Sequence, residues 1–396
     1  MRSIELFAGA GGLALGVSAA GFAHEAVIEL DRDSCDTIRE NQRRGIRPVR
    51  SWPLFEADVT EFDFKPYAGI DLVAGGPPCQ PFSIGGKAKG HVDRRNLFPE
   101  VVRAVRDTQP QAILIENVKG LLRPKFARYF EYILLQLSYP TIAPKPAEDW
   151  REHLARLEQH HTKGRLRDLT YQVVFDCLNA ANYGVPQRRE RVFFVGFRKD
   201  LGIEWSFPRP THTHDALLRS QWVTGDYWER HQIQECTCPD KWRGRVERLR
   251  GGLLFESDMP WRTVRDAISD LPDPTKGEND FPNHVYNPGA RTYAGHTGSP
   301  LDEPAKTLKA GDHGVPGGEN MLAYPNGEVR YFTVRESARL QTFPDDFVFA
   351  ASWTESMRQV GNAVAVKMAR LLASSIKAEL ARKRRLDKAL QSSGQA

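Results

Sequence analysis

The stretch LVAGGPPCQPFS, residues 72–83, sets a lone cysteine in a stiff frame. Gly75, Gly76, Pro77, Pro78 and Pro81 surround Cys79. Prolines fix φ and remove backbone donors, so this is a held turn and not a strand interior. A buried, inert thiol is the commoner use of cysteine, but a turn that aims the sulfur from the end of an apolar run favours a nucleophile. A free thiol with a pKa near 8.5 is only about 3% thiolate at neutral pH, yet soft sulfur attacks electron-poor ring carbons well. Two further groups suit such a reaction. Glu116 closes the apolar run AILIEN, and its value would come from pairing with the thiol. PQRRERVFFVG places Arg188, Arg189 and Arg191 ahead of an apolar strand. Guanidinium forks bind phosphate and carbonyl oxygens, and Arg189 and Arg191 share a face if the strand has already begun.

A second group of residues points to a nucleotide-like ligand. ELFAGAGGLALG puts Gly9, Gly11, Gly12 and Gly16 between a strand and a helix, where backbone can turn sharply and approach a ligand. Glu29 follows at the end of the next strand, suited to ribose hydroxyls. EADV supplies Asp58 near a third strand end, suited to an exocyclic adenine amine.

These residues need a scaffold. The runs IELFAG, AVIEL, DLVAGG and AILIEN alternate with helical RDSCDTIRENQRR and LFPEVVRAVRDTQ. That alternation predicts an α/β fold with a doubly wound, mostly parallel sheet, which binds ligands at the carboxyl ends of its strands. Gly9, Gly75 and Asn117 fall at those ends, with Cys79 just beyond. A peripheral insertion with a charged helix, DWREHLARLEQHH, follows, then a strand pair at YQVVFDCL and RVFFVGF. From about residue 200 to about 330 Gly, Pro, His, Trp and Thr dominate and no helical period persists, which predicts a smaller, loop-rich second domain. Thr333 and Glu336 form a capping-box pattern. Val364, Met368, Leu372 and Ile376 mark an amphipathic terminal helix.

Composition narrows the class. With 396 residues, 27% charged and 40% hydrophobic, the chain suits two globular domains. There is no bilayer-length apolar run and no signal-peptide pattern, which predicts a cytoplasmic protein. Five cysteines argue against a disulfide scaffold, and Cys236 and Cys238 lack the second pair a zinc site needs, so no metal is expected. A net charge of +5 and the basic stretch KWRGRVERLRGG favour a polyanionic partner, whereas ARKRRLDK reads as a solvated helix end.

In this order, ELFAGAGGLALG, GGPPCQPFS, ENVKG, QRRERVFFVG, RESARLQTFPDDF and QVGNAVAV resemble the motifs of the DNA cytosine-5 methyltransferases. They cover nearly the whole chain outside residues 200–330. With the chain starting at its first strand, the resemblance is to the compact bacterial modification enzymes. It implies the S-adenosylmethionine-dependent methyltransferase fold, with residues 1–199 plus 331–396 as catalytic and cofactor-binding domain and 200–330 as target-recognition domain. S-adenosyl-L-methionine would be bound by Phe7, Gly9, Gly11, Gly12, Glu29, Leu30, Asp58, Pro78, Asn362 and Val364. Leu30 stands where many relatives carry a large aromatic. Cys79 would add to carbon 6 of a flipped-out cytosine, Glu116 would hold ring nitrogen 3 and the amino group, and Arg191, with Arg189 nearby, would grip the carbonyl oxygen. Gln80 would fill the vacated stack, and Ser83, Lys87, Lys89, Arg94 and Arg95 would contact DNA.

The implied partner is double-stranded DNA, met by a monomer in the bacterial cytoplasm or nucleoid, away from membranes, with a cognate restriction endonuclease as a functional companion. HVYNPGARTYAGHTGSPLDEPAKTLKAGDHGVPGGENM has a loop composition suited to base edges and backbone, mixing residues that read with residues that support. An NAD-dependent oxidoreductase would explain the glycine-rich turn and Glu29 but not Cys79, Glu116 or the arginines. A DNA-binding module without catalysis conflicts with that intact set. For a tRNA methyltransferase of the same family, the length of residues 200–330 is the contrary sign, favouring duplex DNA.

Overall fold

Apolar runs ending in glycine or an acid become the strands of one large sheet. The computed structural model describes residues 1–78, 97–163, 168–252, 258–277, 279–310 and 320–393. They pack as two units: Met1–Leu178 with Glu190–Pro208 and Ala369–Ala396, and Asn179–Arg189 with Arg209–Met368.

The first unit begins with β1 (Arg2–Leu6), α1 (Gly12–Ala19), β2 (Ala23–Glu29), α2 (Arg32–Arg43), β3 (Leu54–Glu56) and β4 (Leu72–Gly75). It continues with α3 (Phe98–Thr108), β5 (Ala112–Val118), α4 (Ala127–Ser138), α5 (Trp150–Lys163), β6 (Tyr171–Asn179) and β7 (Glu190–Arg198). Seven strands lie in the order β3-β2-β1-β4-β5-β7-β6. The pairings from β3 through β5 are parallel, and β7 lies antiparallel against β5. The order reverses between β1 and β4, so their carboxyl ends open the crevice where such sheets bind ligands. Ile4, Leu6, Ile28, Val73, Ile113, Ile115 and Phe194 form one buried face under α3, α4 and α5. The strand ends are drawn tightly together: a Cβ on Gly75 would lie 2.8 Å from the Leu6 carbonyl oxygen.

Ser3 and Glu5 project from β1 on the side opposite Ile4 and Leu6. Ser3 Oγ lies 3.0 Å from His24 Nδ1. Glu5 is fully buried, and neither carboxyl oxygen has a hydrogen-bond partner among the described residues.

The second unit holds β8 (His212–Thr213), α6 (His214–Trp222), α7 (Asp226–His231), α8 (Asp240–Gly251), β9 (Met259–Pro260), α9 (Val264–Ile268), β10 (Ser299–Pro300), β11 (Met321–Ala323), β12 (Val329–Tyr331), α10 (Val334–Leu340) and α11 (Trp353–Asn362). Helix α12 (Val366–Ser393) follows, joining the first unit from Ala369 onward. Residues 331–368, grouped above with the cofactor-binding part, thus pack with the second unit.

Among the described residues, four α-helices, α6 to α9, occupy the stretch whose composition reads as loop. Adjacent Leu217 and Leu218 of α6 are both buried, each in a separate cluster, one with Tyr227 and Trp228 and the other with Val246 and Leu249. A short helix covered on two sides shows no clean apolar stripe, so its period is hidden. The capping box at Thr333 forms as the spacing predicts, and Glu336 also pairs with Arg330 at 2.6 Å. Arg335, fully buried, donates to the carbonyls of Pro282, Pro344 and Phe347, so this motif supports the fold. Met368, Leu372 and Ile376 are buried along α12, whereas Val364 precedes the helix. No helix among the described residues is long and apolar enough to cross a membrane.

Burial raises the Glu5 pKa well above the usual carboxylate range. The folded state therefore favours the protonated acid, and this stability is lost as pH rises from the ordinary carboxylate pKa through the raised one. Glu5→Gln, which mimics the neutral acid, has no such dependence. Its stability should match wild type around the ordinary carboxylate pKa and exceed it increasingly as pH rises from there, at up to about 1.4 kcal/mol per pH unit. Parallel pH profiles in thermal unfolding would contradict this.

Candidate active site

Three groups at strand ends of the first unit supply the site: the glycine turn after β1, the carboxylates after β2 and β3, and the end of β5 beneath the chain leaving β4. Beyond β1 the chain turns through Phe7, which has φ 57° although it is not glycine, and then through the glycines. Gly11 has φ 89°, and a Cβ there would lie 2.8 Å from the Trp52 ring, so both backbone and space demand glycine. Gly12 starts α1.

The glycine turn is tied to Glu29 at the end of β2. Glu29 Oε2 accepts from Gly9 N at 2.7 Å, and Oε1 accepts from Leu30 N at 2.9 Å and Asp31 N at 2.7 Å. Burial raises the Glu29 pKa, while the three N–H donors oppose that rise. A carboxylate offers roughly four acceptor positions, so room remains for a hydroxyl. Past β3, Asp58 Oδ1 accepts from Thr60 N at 2.9 Å and Thr60 Oγ1 at 2.8 Å, which lowers its pKa and keeps it anionic. Leu30, Glu56, Ala57, Asp58, Glu61, Phe62 and Asp63 line an open depression of about 610 Å³. Leu30 is 62% exposed, so it presents an uncovered apolar wall. A hydroxyl acceptor at Glu29, a fixed carboxylate at Asp58 and apolar Leu30 and Phe62 fit a nucleoside. Phe62 carries no motif signal; only its position four residues beyond Asp58 could have pointed to it.

The third group is where β5 meets β7. Glu116 is buried, and Arg191 Nε lies 2.9 Å from its Oε1. Arg191 Nη1 also donates to the Glu190 carbonyl at 2.9 Å. In the β5–β7 register Glu116 lies opposite Phe193, so Arg191, two residues away, is its diagonal neighbour on the same face. The chain leaving β4 passes directly over this pair. A Cβ on Gly76 would lie 3.2 Å from Glu116 Oε2, and Asn117 Nδ2 donates to the Pro77 carbonyl at 3.4 Å. Asn117 was visible in the sequence as a strand end; its tie to the proline turn is a finding of the structure. Pro78 is exposed at the end of this stretch. Cys79, Gln80, Ser83, Lys87, Lys89, Arg94 and Arg95 lie outside the described residues.

Arg189 is placed differently from Arg191. Strand β7 begins at Glu190, so Arg189 precedes it, and the condition for a shared face is not met. Its guanidinium, 1% exposed, donates to the carbonyls of Leu308 (3.2 Å), Gly361 (2.8 Å) and Ala363 (2.9 Å) within the second unit. Gln341 Nε2 reaches the same turn through Val360 O and Ala363 O. Asn362, exposed, and Val364, buried, flank this clamp.

Comparison with known proteins follows the same lines. A family model described as C-5 cytosine-specific DNA methylase matches residues 1–139 and 152–378. The chain is 32% identical over 384 residues to Type II methyltransferase M.NgoMIV of Neisseria gonorrhoeae, covering 95% of this chain and 98% of that protein. It is 32% identical over 384 residues to Type II methyltransferase M.Eco47II of Escherichia coli, covering 94% and 78% respectively. In fold it is similar to the crystal structure of the S. pombe Dnmt2 methyltransferase, with TM-score 0.55, 18% identity and coverage of 96% and 99%.

Removing the buried guanidinium takes the side-chain donor from the Leu308 and Gly361 carbonyls, at about 1–3 kcal/mol each, and leaves Ala363 O to Gln341 alone. Arg189→Met is therefore expected to destabilise the protein by about 3 kcal/mol or more in urea unfolding. A midpoint within error of wild type would show that the clamp carries no stability.

Proposed function

The chain belongs to the C-5 cytosine-specific DNA methylase family, and from that premise we propose how its residues carry the reaction. It is a DNA (cytosine-5-)-methyltransferase: it moves a methyl group from a donor to carbon 5 of cytosine in DNA. The donor is S-adenosyl-L-methionine, which when bound supplies an electrophilic methyl group. Phe7 and the turn at Gly9, Gly11 and Gly12 cradle it, Glu29 takes its ribose, and Asp58 takes the adenine amine beside Leu30. Pro78, Asn362 and Val364 complete the set that the family resemblance assigns to the donor.

The observation that carries the mechanism is the buried Glu116–Arg191 pair beneath the turn that leads to Cys79. Carbon 5 of cytosine is a weak nucleophile. Addition of the Cys79 thiolate to carbon 6 breaks the 5,6 double bond and leaves an enamine rich in electrons at carbon 5. Glu116 holds ring nitrogen 3 and the amino group, and Arg191 binds the carbonyl oxygen, so charge developing on the ring meets fixed partners. After methylation, loss of the carbon 5 proton, with water as base, restores the double bond and expels Cys79. The thiol cannot reach a base inside a duplex, so the cytosine rotates out at a cost of about a few kcal/mol, and Gln80 fills the gap. Ser83, Lys87, Lys89, Arg94 and Arg95 hold the DNA backbone. Arg189 acts as a positioning residue through its clamp on the turn at residues 361–363. Target recognition belongs to residues 200–330, the enzyme works as a monomer in the bacterial cytoplasm or nucleoid, and a restriction endonuclease of matching specificity accompanies it. RNA has less support as substrate, since the matching family is described by DNA.

With duplex DNA and labelled S-adenosylmethionine, Cys79→Ala should lower methyl transfer by about 10⁴-fold or more, the scale of deleting a nucleophile. Duplex binding should stay within about threefold of wild type. A 5-fluorocytosine duplex should form a denaturation-resistant adduct with wild type and none with the variant. Retained transfer by Cys79→Ala would refute the assignment.

A further inference from the structure

Residues 285–297, VYNPGARTYAGHT, form an arm of the second unit whose roots are locked and whose surface is bare. At the first root Asn283, with φ 63°, exchanges hydrogen bonds of 2.8 and 2.9 Å with the backbone of Phe349. Next to it the buried His284 ring sits 2.9 Å from Thr333 Oγ1 and 2.7 Å from the Pro272 carbonyl. At the second root Gly298 has φ 76°, and a Cβ there would lie 3.2 Å from Ala323 Cβ. Ser299 Oγ then accepts from Lys306 N at 3.0 Å as the chain enters β10. The tip closes on itself through reciprocal backbone bonds of 3.2 and 2.8 Å between Tyr293 and His296.

Between these roots most residues are exposed, with Asn287, Ala290 and His296 partly covered. Val285 (72%), Tyr286 (42%) and Tyr293 (49%) are three of the ten large apolar side chains exposed among the described residues, and they fall within nine positions. Apolar surface gathered in one exposed element marks an interaction site, whereas single exposed residues do not. Charge identifies the partner. The arm carries Arg291 and His296 and no carboxylate, which suits a polyanion and repels few of its phosphates. Tyrosine supplies flat faces for bases and sugars, and arginine pairs with guanine through two hydrogen bonds in the major groove. The polar residues around the arm are committed to the fold: His284 to Thr333 and Pro272, Asn320 to Lys309, and Arg330 to Glu336.

We infer that the 285–297 arm reads the DNA sequence, with Arg291 on a base edge and Tyr286 and Tyr293 as aromatic anchors. The inference rests on the methyltransferase reading above and names the residues that give it selectivity. A randomised duplex library, treated with the full-length protein and S-adenosylmethionine and then sequenced after bisulfite conversion, tests it. Arg291→Ala should relax the methylated motif at one position and raise KM for DNA about tenfold or more. Tyr286→Ala and Tyr293→Ala should raise KM for DNA with the motif kept. All three should leave the melting temperature and the affinity for S-adenosylhomocysteine within twofold-equivalent error of wild type, because the arm is exposed. Variants that methylate the wild-type motif with KM within twofold overturn the arm assignment alone. A wild-type protein that methylates no cytosine overturns the underlying function and this inference with it.

Discussion

The ion pair between Glu116 and Arg191 is the constraint on which the proposed chemistry of the first unit depends. Its two residues stand 75 positions apart and meet because β7 runs antiparallel to β5, which brings the first residues of β7 to the carboxyl end of β5. A parallel strand in that place would have brought its other end. Both side chains are largely shielded from water, where a charged pair costs desolvation that mutual attraction only partly offsets. Replacing such pairs by apolar residues often stabilises a protein. Its presence at the mouth of the crevice is therefore a sign of chemistry more than of stability. In the proposed reaction the base gains electron density as sulfur adds to it, and an acid and a guanidinium fixed side by side would be complementary to the charge that develops.

The rest of the first unit positions other groups around that pair. The near contact between Gly75 and the Leu6 carbonyl draws the ends of β1 and β4 together. The glycine turn and the proline turn consequently emerge from neighbouring points. Gly76 lets the proline turn run across the Glu116 carboxylate, and Asn117 holds that turn by the Pro77 carbonyl. Three backbone donors freeze Glu29, and two donors from Thr60 freeze Asp58, so both carboxylates are oriented before any ligand arrives. Preorganisation of this kind is worth affinity because the ordering is done during folding.

Much of this was legible in the sequence. Strands ending at or near Gly9, Glu29, Gly75 and Asn117 announce themselves by apolar runs and by turn residues with clear physical roles. That Glu116 and Arg191 pair with each other was not foreseen, although each was readable as a site residue, the acid beside the thiol and the arginine as an oxygen-binding fork. Arg189 was not: which arginine begins a strand depends on register, which no local pattern fixes. The helices at residues 214–251 were hidden because burial on two sides erases the stripe that a sequence reader looks for. Long-range clamps, such as Arg189 to Gly361 or Arg335 to Phe347, join a side chain to backbone carbonyls. Carbonyls carry no sequence signature. Likewise, supporting and exposed residues in the Gly- and His-rich segment differ only in burial.

Coupling between the paired residues tests the account most directly. A double-mutant cycle on kcat/KM for DNA methylation with Glu116→Gln, Arg191→Met and both together would measure it. If the two groups act as one unit on the base, the double variant should be scarcely worse than the poorer single one, with a coupling of at least about 1.5 kcal/mol. Losses that add to within about 0.5 kcal/mol would mean that the two side chains act independently, contradicting the central claim.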